Sequence, residues 1–126
     1  KETLLEIEKI IFKEKSLSVC NILIINLICN KLSIKFNYKL GSSLDLQKYS
    51  SNERLLFRSK KLGIMRYLYG QGAKGYQDNQ YLISNGMELI EINYDKFEYF
   101  GDDSKFSILH LIAKYGIEKI KEILFI

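Results

Sequence analysis

The chain has 126 residues and a formal net charge of +4, with 47% hydrophobic and 27% charged residues. These proportions belong to a chain that folds around a core, and they exclude a disordered tail, a collagen-like fibre and a small disulfide scaffold. The length predicts a single domain over 1–126. Pro and Trp are absent, and the abundance of Ile, Lys, Leu, Asn and Tyr has the bias of low-GC bacterial coding sequence. A chain that begins with Lys1 is expected to be a processed form or a piece of a longer protein.

Lys1–Lys15 reads as an amphipathic helix, because Leu4, Ile7 and Ile11 recur at helical spacing opposite Glu2, Glu6, Lys9 and Lys13. Ser16 or Ser18 can cap a second helix. The apolar run Val19–Asn30 is either a buried helix or a buried strand; its β-branched content favours the strand, its length and the preceding Ser the helix. Leu32–Leu40 alternates apolar with polar residues and reads as a half-buried strand. After Gly41-Ser42-Ser43 and a polar loop, Asn52 is placed to cap a helix from Glu53 to Tyr69, ended by Gly70.

Tyr76–Ile83 reads as a strand and Ser84-Asn85-Gly86 as a hairpin turn, since Asn-Gly accepts the positive φ angles of a type I′ turn. Met87–Tyr94 is the return strand, Asp95-Lys96 a turn and Phe97–Phe100 a short third strand. Gly101-Asp102-Asp103-Ser104 then breaks the sheet, and Lys105–Phe125 reads as helical with a break at Gly116. The fold expected from these elements is α+β: a mostly antiparallel sheet, with a β-meander around residues 76–100, on which the N- and C-terminal helices pack.

Cys20 and Cys29 read as free thiols, since nine residues along one helix separates them by about 13 Å. A reducing, cytoplasmic compartment follows. One His and no paired-Cys motif imply no metal and no cofactor. The apolar run at Val19–Cys29 is interrupted by Asn21 and Asn26 and falls short of the ~20 residues a membrane span needs.

Charge is uneven. Residues 1–75 hold 14 Lys/Arg and 6 Asp/Glu, whereas residues 76–126 hold 5 and 9. The basic residues converge on Arg54, Arg58, Lys61 and Arg66, all within the expected helix, with Lys74 in the loop beyond it and no acid between Arg54 and Gly75. Every Arg of the chain is in this set, and Arg suits bidentate contact with carboxylate or phosphate. These five residues form the expected binding surface, for an acidic protein or for nucleic acid.

Other motifs are weaker. Gly70-Gln71-Gly72-Ala73-Lys74-Gly75 matches the glycine pattern of a phosphate loop, but after a helix and before a strand it is in the wrong context and reads as a helix stop and turn. His110 lacks a sequence-local Ser, Cys or Asp partner and reads as structural. Asp102-Asp103 reads as turn and cap chemistry, and Glu88 and Glu91 as residues on opposite faces of a strand.

Ser107-Ile108-Leu109-His110-Leu111-Ile112-Ala113-Lys114-Tyr115-Gly116 resembles the helix signature of the ankyrin repeat. That resemblance implies a helix pair, a structural His and protein binding. No 33-residue register links the segment to a second copy, and one repeat cannot bury its own face, so a solenoid is not expected.

The functional expectation is a small non-enzymatic macromolecule-binding protein that docks on and occludes its partner, similar as a class to immunity or antitoxin proteins. The alternative is a basic nucleic-acid-binding or nuclease domain from a larger toxin-like protein. A ligand-binding regulatory module would rest on the glycine loop alone.

Overall fold

The computed structural model describes residues 2–125. It is mostly helical, with one sheet of two four-residue strands among the described residues. The elements are α1 (Glu2–Lys13), α2 (Leu17–Lys31), α3 (Ser51–Leu62), β1 (Arg66–Tyr69), α4 (Asn79–Ser84), β2 (Glu88–Glu91), α5 (Ile108–Tyr115) and α6 (Ile117–Leu124). Short 3-10 segments lie at Gly41–Leu44, Gln71–Gly75 and Asp95–Lys105. The expectation of a mostly antiparallel sheet is therefore wrong: β1 and β2 are parallel, Arg66 pairing with Glu88 and Tyr69 with Glu91.

The chain forms two compact units, one from Lys1–Asn37 with Tyr94–Ile126, the other from Tyr38–Asn93. In the first unit the terminal helices pack on each other, where sheet packing was expected. Ile7, Ile28, Leu32, Phe100, Leu111, Ile112, Ile120 and Ile123 form its core. α1 turns Thr3 and Ile7 inward, and Glu6 pairs with Lys31 of α2 at 2.8 Å. The ambiguous run Val19–Asn30 is helix, begun by the Ser16 hydroxyl accepting from the Val19 N–H at 3.5 Å.

The strand expected at Leu32–Leu40 is absent because α2 stops inside it. Ser33 takes a left-handed conformation (φ 61°), donating its N–H to Asn30, while Ile34 donates to Cys29. That is the bond pattern of a left-handed helix stop, in an uncommon form because the residue is not Gly. Leu32 is consequently buried at the end of α2, while Ile34, Tyr38 and Leu40, expected on the buried face of a strand, are exposed.

In the second unit Leu56, Leu82 and Met87 form a small core, joined by Leu55, Met65, Tyr67, Tyr81 and Leu89. The helix expected from Glu53 to Tyr69 ends early, at Gly63 (φ 65°), where the N–H groups of Gly63 and Ile64 return to Lys60 and Ser59. Residues 66–69 leave the helix and become β1.

The hairpin is corrected in the same way. The Asp78 carboxylate accepts from the Tyr81 N–H at 2.9 Å and starts α4 where a strand was expected. Gly86 (φ 87°) then ends α4, with the N–H of Gly86 on Ile83 and that of Met87 on Leu82. Asn-Gly serves here as a helix stop, since a left-handed Gly fits either device. The result is a parallel β-α-β crossover. The third strand of the meander, expected at Phe97–Phe100, lies within the 3-10 segment Asp95–Lys105, which bends at Gly101 (φ 55°, ψ −131°). The break expected at Gly116 is present and separates α5 from α6.

Candidate functional site

α3 carries the strongest site. The Glu53 carboxylate accepts from the Ser50 hydroxyl at 2.8 Å and from its N–H at 3.1 Å. These bonds, the hydroxyl's first, hold Glu53 below its usual pKa and fix the helix start. Leu56 and Ser59 face the core, which leaves Arg54 and Arg58, one turn apart, on the outer side. Asn52, expected as the cap, accepts instead from the Asp78 N–H at 3.0 Å. That bond holds the segment before α4 against the first turn of α3.

A concavity of about 180 Å³ results, lined by Ser51, Asn52, Arg54, Leu55 and Arg58 of α3, Tyr67 of β1, and Tyr76 and Gln77 of the crossover. Tyr76 is 73% exposed. Arg54 is committed to the loop before α3, with Nε and Nη2 donating to the Tyr49 carbonyl at 3.2 and 2.9 Å and Nη2 also to that of Gln47 at 3.4 Å. Arg58 is exposed and makes no hydrogen bond or ion pair among the described residues.

The other expected binding residues lie elsewhere and have partners. Lys61 donates to the Leu44 carbonyl. Arg66 is on β1 and not on the helix; it pairs at 2.9 Å with Glu88, the residue opposite it in the ladder. Lys74 pairs at 2.9 Å with Glu91, which raises its pKa. The expected five-residue surface thus divides into the Arg54–Arg58 concavity, Lys61 on the Leu44 carbonyl, and two exposed cross-crossover ion pairs, and pairs of that kind contribute little stability.

The glycine segment Gly70–Gly75 follows β1 and precedes α4, the reverse of the context read from sequence. Its backbone is nevertheless folded on itself: the N–H of Ala73 donates to Gly70, and those of Tyr76 and Gln77 to Ala73. The Ala73, Tyr76 and Gln77 amides are thereby committed to the backbone and not offered to an anion.

In the first unit a polar cluster gathers around Asp103, whose side chain is only 14% exposed. Its Oδ1 is 3.1 Å from His110 Nε2, and its Oδ2 accepts from Lys114 Nζ and Tyr115 Oη, each at 2.5 Å. His110 does have an acidic partner, seven positions earlier, and the ring leans on Phe106 with centroids 4.6 Å apart. Lys114, then Tyr115 and His110, hold the Asp103 carboxyl well below its ordinary value of 3.8. With a lowered native pKa, the unfolded state binds the proton first as pH falls, so this stabilisation is intact above the ordinary value and is lost below it. Unfolding midpoints should therefore stay level from neutrality to about pH 5 and drop below about pH 4, and Asp103→Asn should flatten that acid limb. An unchanged limb in a pH series followed by circular dichroism would count against the cluster. Glu53 is lowered in the same sense and so acts in the same direction.

No group of three or more His, Cys, Asp or Glu among the described residues is placed to hold a metal. Among them, no helix is long and apolar enough to cross a membrane. Cys20 and Cys29 are both free, on α2.

Taken together, fold and site define a mostly helical protein with a short parallel β-α-β crossover beside an arginine-bearing helix. The chain matches the WbqC-like protein family over residues 1–122 and belongs to it. No curated protein and no solved structure matches the chain.

Proposed function

We propose that this chain is a non-enzymatic binding protein that docks an acidic protein partner through the α3 concavity, acting by occlusion as an immunity or antitoxin protein does. The observation that carries this reading is the exposed Arg58 guanidinium, without a partner among the described residues, beside Arg54, Tyr67 and Tyr76. The concavity is large enough to take a carboxylate side chain or a phosphate. Arg and Tyr are the residues enriched at interface anchors. Arg54 is pre-set by its bonds to the loop carbonyls, so a second guanidinium face is held in place beside Arg58. The free cysteines of α2 suit a cytoplasmic setting.

The second reading, a nucleic-acid-binding domain, is favoured by Tyr76, whose exposed ring stands beside two arginines as a base-stacking platform would. Fluorescence anisotropy separates the two, with a labelled Glu/Asp-rich peptide, a single-stranded RNA and a duplex DNA as probes in a salt series. The expected result is peptide binding at about 50 mM salt that Arg58→Glu weakens roughly tenfold or more, as loss of a charge-assisted contact requires. RNA binding that falls steeply with salt transfers the site to the second reading. An Arg58→Glu chain that binds every probe as the parent does removes the concavity from both.

A further inference from the structure

A second surface lies on α1, in the other unit, and stands independently of the α3 reading. Thr3 and Ile7 point into the core, so the opposite face carries Leu5, Glu8, Lys9 and Phe12, with Lys13 beside them. Leu5 is 55% exposed and Phe12 is 83% exposed. The two stand seven residues apart, about 10 Å along the helix, and border a shallow, open stretch of surface that Glu8, Lys9 and Lys13 also line. Glu8 and Lys9 make no ion pair among the described residues, whereas Glu6 on the inner flank is paired with Lys31.

The pattern of this face is its own complement. A two-fold axis passing between Glu8 and Lys9 brings Leu5 of one α1 against Phe12 of another, and Glu8 of each against Lys9 of the other. Leu5, Glu8, Lys9 and Phe12 are then each matched twice, as an isologous interface requires, and Lys13 falls at the edge of the contact, level with Leu4. A parallel arrangement would set Glu8 on Glu8 and Lys9 on Lys9, which like-charge repulsion disfavours. We infer that α1 is a self-association surface whose occupant is the antiparallel α1 of a second copy of this chain. A helix of 12 residues offers less contact than a standard interface of about 1,600 Å². The dimer is accordingly a weak one, with a dissociation constant on the order of micromolar to tens of micromolar.

Sedimentation velocity of the full chain, from about 5 to about 500 µM in low salt, tests this. The expected result is a concentration-dependent monomer–dimer equilibrium. Glu8→Lys alone and Lys9→Glu alone should each weaken it roughly tenfold, because each change places two like-charge contacts at the two-fold axis. The double variant Glu8→Lys with Lys9→Glu should restore it, since the exchanged charges are again complementary. Phe12→Ser should abolish it with helix content unchanged, the ring being almost wholly outside the fold. A chain that remains monomeric at every concentration overturns the inference. So does a dimer that ignores the single charge changes, or one that the double exchange fails to rescue.

Discussion

Ile120→Ala is expected to cost the chain about 3 kcal/mol of unfolding free energy, visible as a lower urea midpoint with an unchanged slope. Ile120 has no exposed surface and sits where α6 meets the core of the first unit. The substitution removes three carbons from a packed site, so it loses their transfer free energy and leaves a cavity. Collapse around that cavity is limited, because the neighbouring positions are fixed by three separate helices and the 3-10 segment: Ile7 on α1, Ile28 on α2, Leu111 on α5 and Phe100. Gly116 (φ 80°, ψ 163°), in a region that only Gly occupies comfortably, further pins α6 relative to α5. Leu124→Ala, at a half-buried position on the edge of the same cluster, should cost clearly less. Equal losses at the two positions would mean that Ile120 is not the centre of this core.

The helical parts of the fold were legible where the 3.6-residue period was unopposed. α1 and α3 follow from their apolar faces, and the α5–α6 break follows from Gly116. Three of the misreadings share one physical cause: a left-handed stop ends a helix inside a segment that reads as one continuous element. Ser33 does this within the alternating run Leu32–Leu40, Gly63 within the basic helix, and Gly86 within an Asn-Gly pair that equally suits a hairpin. At two of these stops the winning element is the one that buries an apolar neighbour. Leu32 and Met87 are both buried, and they adjoin the stops at Ser33 and Gly86.

The candidate site was legible to the same extent. Arg54 and Arg58 are four residues apart, so their shared helix face follows from sequence. Tyr67, Tyr76 and Gln77 reach it only because β1 and β2 pair in parallel and the crossover brings its own start back to α3, and no local pattern encodes that non-local pairing. The partners that neutralise Arg66 and Lys74, Glu88 and Glu91, come from the same pairing. The meander reading set those two glutamates on opposite faces of a strand, with no basic partner. Asp103 was legible as a turn residue but not as the acceptor of three side chains, because Lys114 and Tyr115 meet it only after the bend at Gly101 and the turn into α5.

Leu82→Ala should have the other large effect, about 3 kcal/mol on the unfolding of residues 38–93. Leu82 is fully buried in a core whose other fully packed members are Leu56 and Met87 alone, so one truncation removes a large share of the buried apolar volume. The change also reaches the stop of α4, because the Met87 N–H bonds to the Leu82 carbonyl and the two side chains pack together, the apolar contact that accompanies this kind of stop. Loosening α4 slackens the segment that Asn52 ties to α3 through Asp78, and with it Tyr76 and Gln77 at the concavity. Hydrogen exchange should accordingly quicken in α4 and β2 before global unfolding, and binding of the acidic peptide should weaken although Arg58 is untouched. If Leu82→Ala lowers stability but leaves peptide affinity unchanged, recognition rests on the α3 arginines alone, and the crossover side of the concavity has no part in it.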